Sequence, residues 1–298
     1  MLTICGHQYL SMGKILRKAP LLFNILLVFN TACTADKSKM LAHDIRLFQN
    51  NETWELAKAV RNEDTNSIHK LISLKKIPVD SKESKFGETL LGWSVITNHY
   101  SSTKALLEEG ADPNLLETYS RKSPFMYACG YGPEYGKRTD LLKLLLRYGG
   151  KPNAVSQGQT PEGFKPRETP LMIAAKCCLL KTKLLVESGA NVNFVNEKNE
   201  SPLLSAVELG GNEKAETTRY LLLEKGADFR KAFVITIDKD TIPFAELLRH
   251  WVYPLGSRDY KIKMEIVNYL KGKGQDYFKT TIPPYFYKNY PKEYLMKY

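Results

Sequence analysis

An all-α solenoid of about six stacked helical pairs, joined by hairpin-like finger loops, is the fold class this sequence predicts. Three observations carry the prediction. A Thr or Ser, usually followed by Pro and a large apolar residue, recurs at Thr89, Ser123, Thr169 and Ser201. Each start leads through a small-residue segment and a Leu-rich segment into a glycine turn, as in TPLMIAAKCCLLKTKLLVESGANVN from Thr169 to Asn193. The interval between starts is 34 residues from Thr89 to Ser123 and 32 from Thr169 to Ser201, a period that marks a repeated two-element unit.

Each copy follows from local chemistry. Thr169 and Ser201 are N-cap residues, and Pro170 and Pro202 fall in the first turn, where the missing amide costs nothing. Ala174, Ala175 and Ala206 keep the first helix thin, so neighbouring helices can approach closely. The second helix carries Leu184, Leu185 and Val186, or Leu221, Leu222 and Leu223, and so buries most of its girth. Gly110, Gly189 and Gly226 stand where a helix C-terminus calls for a left-handed residue. One such pair cannot cover its own apolar faces; stacked pairs share a continuous core.

The pattern resembles the ankyrin repeat. Thr169-Pro170-Leu171 with Ala174-Ala175, Gly110-Ala111-Asp112-Pro113-Asn114, Gly189-Ala190-Asn191-Val192-Asn193 and Gly226-Ala227-Asp228 carry the resemblance, over roughly residues 51–275. A degenerate first copy spans 54–80 and a last one 242–274, with atypical ends acting as caps. The family's histidine after Thr-Pro-Leu is replaced by Gly92, Met126, Met172 and Leu204.

Two longer intervals, 46 residues from Ser123 to Thr169 and 40 from Ser201 to Thr241, mark insertions. Residues 131–140 lengthen the connection inside the third repeat, 210–218 do so in the fifth, and 154–167 extend a finger. The resemblance implies that the first helices and finger tips line a concave, partner-binding face. On that geometry Gln157, Gln159, Glu162, Phe164, Lys165 and Arg167 of the long finger, with Tyr131, Tyr135 and Arg138 of the other loop, are the partner-binding candidates. A tolerated surface insertion is the competing reading.

No catalytic or metal-binding residue is expected, and no cofactor. Cys177 and Cys178 occupy packing positions in a helix, and the histidines lack a second ligand three or four residues away. There is no phosphate-cradling glycine loop and no nucleophile elbow.

The formal charge is +11, of which residues 241–298 hold +5. This excess predicts an acidic protein partner. Nucleic acid is not expected, although tyrosines alternate with lysines in the tail 276–298. Packing of those rings over the last repeat, or contact with an acidic partner or anionic lipid, are the readings of that tail.

Residues 1–32 have the layout of an export signal: Lys14, Arg17 and Lys18 precede LLFNILLVF, too short for a comfortable span. Translation from Met12 would give a signal of 21 residues. The run NTAC ending at Cys33 resembles a bacterial lipobox, with Asn30 where that family usually carries an aliphatic residue; simple cleavage near Ala32 or Ala35 is the alternative. The expected organisation is therefore signal 1–32, tether 33–50, repeats 51–275 and tail 276–298. The expected function is a protein-binding module of the periplasm, anchored to a membrane through lipid on Cys33. By family analogy it would be an immunity protein neutralising a secreted toxin or lipase. A general envelope scaffold and an enzyme without a visible motif are the alternatives.

Overall fold

A computed structural model describes residues 37–49, 52–130, 139–160, 163–164, 166–209, 213–235 and 241–298. Six helical pairs follow one another: α1 (Trp54–Arg61) with α2 (Thr65–Ser73), α3 (Leu90–Ile96) with α4 (Tyr100–Glu108), and α5 (Pro124–Cys129) with α6 (Asp140–Arg147). Next come α7 (Pro170–Ala175) with α8 (Leu179–Glu187), α9 (Pro202–Leu209) with α10 (Lys214–Arg219), and α11 (Phe244–Leu247) with α12 (Arg258–Gly272). From α1 to α9, first helices pack on first helices; second helices pack on second helices from α2 to α6 and again from α8 to α12, so the pairs form two layers. The all-α solenoid is thus the observed architecture, with two short two-stranded hairpins in its fingers. These pair β1 (Gln159–Thr160) with β2 (Gly163–Phe164) and β3 (Val234–Ile235) with β4 (Thr241–Ile242).

The local signals act as chemistry requires. The hydroxyls of Thr89, Ser123, Thr169 and Ser201 accept the amides of Gly92, Met126, Met172 and Leu204 at 3.1–3.3 Å, capping α3, α5, α7 and α9. Gly110, Gly149 and Gly189 hold φ of 88°, 89° and 86°. The amide after each glycine then closes the helix end on a leucine carbonyl: Ala111 on Leu106, Gly150 on Leu145, Ala190 on Leu185. Gly150 stands where the other copies carry Ala because Phe125 fills that space; a Cβ there would lie 2.4 Å from the Phe125 ring. The family's missing histidine leaves a buried apolar row of Met126, Met172 and Leu204.

The fifth repeat departs by one residue. Its closing bond runs from Ala227 to Leu221, one residue longer than in the copies before it. The extra residue is absorbed in a π-helical turn, Tyr220–Glu224, continuing α10. Most of the segment 210–218, expected to be loop, is instead α10, because Ala215, Thr217 and Thr218 are buried in packing between α9 and α12.

The ends are built from segments outside the repeat pattern. Met40, Ile45, Leu47 and Phe48 are buried, and the Trp93 indole donates to the His43 carbonyl at 2.9 Å. Residues 40–48 are therefore a cap on the first repeats and not part of a free tether 33–50; their apolar side chains cover faces that no preceding repeat exists to cover. At the other end Tyr277, Phe286, Leu295 and Tyr298 are buried, with α13 (Phe286–Asn289) and α14 (Lys292–Lys297) completing the tail. Among the described residues two cores run through the repeats, one through repeats one to four and one through repeats five and six, with Val186 and Val192 packed against both, and Phe286, Leu295 and Tyr298 form a third, small cluster in the tail.

Candidate functional site

The first four fingers are each closed by a buried polar side chain at the base. In the first, Glu83 accepts the amides of Lys85, Phe86 and Glu88 at 2.7–3.0 Å. In the second, 34 residues on, Glu117 accepts the Tyr119 amide at 2.7 Å, the Ser120 hydroxyl and the Tyr127 hydroxyl at 3.2 Å. Ser156 takes the Glu168 amide in the third, and Asn196 takes those of Lys198 and Glu200 in the fourth. Neighbouring fingers are also joined: the Thr118 amide and hydroxyl both donate to the Phe86 carbonyl, and Gly87 at φ 71° leaves the room Thr118 needs. Short loops are thereby held as a rigid edge beside the first-helix layer.

A ladder of side chains ties successive turns. Asp80 accepts the Asp112 amide; Asn114 accepts that of Lys151 and donates to the Gly149 carbonyl. Asn153 does the same with Asn191 and Gly189 at 2.8 and 2.9 Å, and Asn193 accepts from Asp228. Arg230 occupies the next position in register, and among the described residues the series ends there.

Between the first two fingers lies a cavity of about 260 Å³ lined by Phe86, Glu88, Glu117, Tyr119, Tyr127 and the capping His43, among others. Its floor is electrostatically loaded. His43 Nδ1 lies 2.6 Å from Glu88 Oε1, and this bond raises the imidazole pKa against the opposing effect of burial. Burial raises the Glu88 carboxyl. The Tyr127 hydroxyl is pushed up, first by burial and then by the Glu117 charge. His43, Glu88 and Glu117 are separated by successive gaps of 45 and 29 positions, so no spacing signal brings them together. The recurrence of an acid at Glu83 and Glu117 was the one legible hint.

Of the residues expected from sequence to bind a partner, Gln157 is exposed on the third finger, and Gln159 and Phe164 are cross-strand partners in its hairpin. Arg167 sits at the finger's base, where its Nε lies 3.3 Å from Glu197 Oε2 of the next finger. Glu162, Lys165, Tyr131, Tyr135, Arg138 and the lipid-anchor candidate Cys33 lie outside the described residues. Cys129 and Cys178 are buried; burial pushes the Cys129 thiol up and moves that of Cys177 up to about 11, so these two are protonated thiols at neutral pH. Among the described residues no group of three or more His, Cys, Asp or Glu is placed to hold a metal, and no helix is long and apolar enough to cross a membrane.

Capped helical pairs, tied turns and a rigid finger edge define a protein–protein interaction module. The family model for ankyrin repeats matches residues 56–156 and 134–232, and the chain belongs to the ankyrin repeat family. It is similar to an ankyrin repeat protein of Acanthamoeba polyphaga mimivirus, 31% identical over 42% of this chain and 20% of that protein. It also resembles an I-Kappa-B like protein of Microplitis demolitor bracovirus, 30% identical over 31% of this chain and 49% of that one. The chain thus spans from a fifth to about half the length of these curated relatives. A solved ankyrin repeat protein matches at a TM-score of 0.53, with 24% identity over 72% of this chain and 96% of its own. An ankyrin repeat domain from Acinetobacter baumannii AYE matches at 0.52, with 25% identity over 70% and 95%. Ankyrin repeat proteins are in general binding modules rather than enzymes.

Proposed function

We propose that the chain is an exported, lipid-anchored binding protein of the bacterial envelope that recognises an acidic partner protein through its finger edge and first-helix layer. The observation that carries the binding mode is the edge itself: buried Glu83, Glu117, Ser156 and Asn196 hold the fingers in fixed relation, so a partner meets a pre-organised surface. Support for an acidic partner is the charge of +11, of which +8 remains when residues 1–32 with Lys14, Arg17 and Lys18 are removed. Support for export and anchoring is the signal-like run before Cys33. Neutralisation of a secreted toxin or lipase is the specific role we assign, by analogy with exported ankyrin proteins, and a general scaffold for an envelope enzyme is the second reading.

The test is binding of the purified chain to the product of an adjacent toxin or lipase gene. Nanomolar affinity with inhibition, and an association rate falling as salt rises, are expected. Absence of binding and inhibition would remove the immunity role, and a salt-independent rate would remove the acidic partner. Labelled palmitate should enter the native chain and not Cys33→Ala; equal labelling of both would reject the anchor.

A further inference from the structure

Another cavity, of about 320 Å³, lies where the fifth finger meets the first-helix layer. Val234 and Ile242, paired across the finger's hairpin and half-buried, line it together with buried Val207, Leu247 and Trp251. Its volume is at the low end of ligand pockets and suits a single side chain with an apolar stem.

Lys214, the first residue of α10, also lines this cavity and keeps part of its surface open. Its Nζ lies 5.7 Å from the centre of the Trp251 ring and makes no hydrogen bond or ion pair among the described residues. Burial lowers its pKa, and no neighbouring carboxylate offsets that effect. By contrast, Lys122 and Lys176 share Glu168. A half-buried ammonium beside apolar walls is matched by one carboxylate on an aliphatic stem. The charges then meet where water is partly excluded, and the methylenes cover the finger's aliphatic side chains.

The remaining polar residues narrow the choice. Glu208 lines the same cavity, and its carboxyl is pushed up first by burial and then by the Glu200 charge. A doubly charged phosphate would add to that repulsion, so a single carboxylate is favoured. His250, the other basic residue of the lining, has its Nδ1 3.1 Å from the Tyr285 hydroxyl, which leaves Lys214 as the donor to an incoming anion.

We infer that this cavity receives the carboxylate of a glutamate side chain of the bound partner, paired with Lys214 Nζ, its methylenes against Val234 and Ile242. The inference rests on the protein-binding reading and deepens it, because it names one contact through which an acidic partner is recognised.

Titration of the full chain with N-acetyl-glutamate methylamide, followed by NMR of the Trp251 indole and the Lys214 side chain, tests this apart from any partner. Saturable shifts are expected with the glutamate probe, none with its neutral glutamine isostere, and weaker binding with inorganic phosphate. Lys214→Met should weaken the glutamate probe about tenfold, while Lys214→Arg should hold it within about threefold. Glu208→Gln, which leaves the ammonium in place, should tighten it about twofold. Equal response to glutamine, no saturable response to glutamate, tighter binding of phosphate, or native affinity in Lys214→Met would overturn the inference. A probe that binds as expected beside a native partner that does not would sink only the wider functional reading.

Discussion

From repeat one to repeat five, Asp80, Asn114, Asn153 and Asn193 each pass a hydrogen bond to the next turn; beyond Arg230 the described residues show no such rung, and two long buried basic side chains hold the chain instead. Arg249, 2% exposed, donates to the Tyr298 and Tyr277 carbonyls at 2.8 Å and to the Thr280 hydroxyl at 3.1 Å, with its guanidinium 3.9 Å above the Tyr277 ring. Lys263 is fully buried, donates to the Trp251 carbonyl at 3.0 Å and lies 3.5 Å from the centre of the Tyr298 ring. A repeated neighbour offers the same amide every time, so a short Asp or Asn serves every rung. A terminal cap meets irregular chain and needs long side chains that reach several groups at once.

The largest expected effect comes from breaking the cap. Arg249→Ala strands several buried acceptors and should cost about 3 kcal/mol or more. Residues 276–298 should become sensitive to protease and the Trp251 emission should shift, while Trp93 at the other end keeps its spectrum. Unchanged amide exchange across 277–298 would show that the arginine does not hold the tail.

Lys263 sharpens the same contrast through pH. Burial, then the charges of Arg249 and Lys214, lower its pKa from 10.5 to about 6. The unfolded chain therefore binds more protons than the fold between those values, and the stability of the C-terminal end climbs as pH rises through that window. Lys263→Met should flatten the climb by a few kcal/mol, read from urea midpoints at about pH 6, 7.5 and 9. Parallel pH profiles for the two proteins would count against the buried neutral lysine.

The smallest effect tests the ladder. Asn153→Ala removes two bonds to the fourth repeat and should cost about 1–2 kcal/mol, broadening the unfolding transition as repeats on either side uncouple. A sharp transition at the native midpoint would mean the ladder only decorates a coupling made by the apolar core.

Much of this was legible along the chain because its causes are local. A hydroxyl before a proline caps a helix, a glycine ends one, and Leu at helical spacing buries it; Thr169, Gly189 and Leu185 act as their positions demand. The all-α repeat architecture followed from those signals alone. The tether expected at 33–50 went wrong where the cause was remote: Met40 and Phe48 are buried only because the repeats present an uncovered face.

The candidate site belongs to the same remote class. His43, Glu88, Glu117 and Tyr127 come from a cap, two fingers and a helix, and nothing in their spacing predicts that they share a cavity. By itself the sequence determined the repeating unit and its capped helix starts and glycine turns, because propensity, capping and turn chemistry act within a few residues. Only tertiary structure decided which carboxylates are buried and paired, and which lysine loses its charge, because burial depends on what the stacked repeats and their caps bring together.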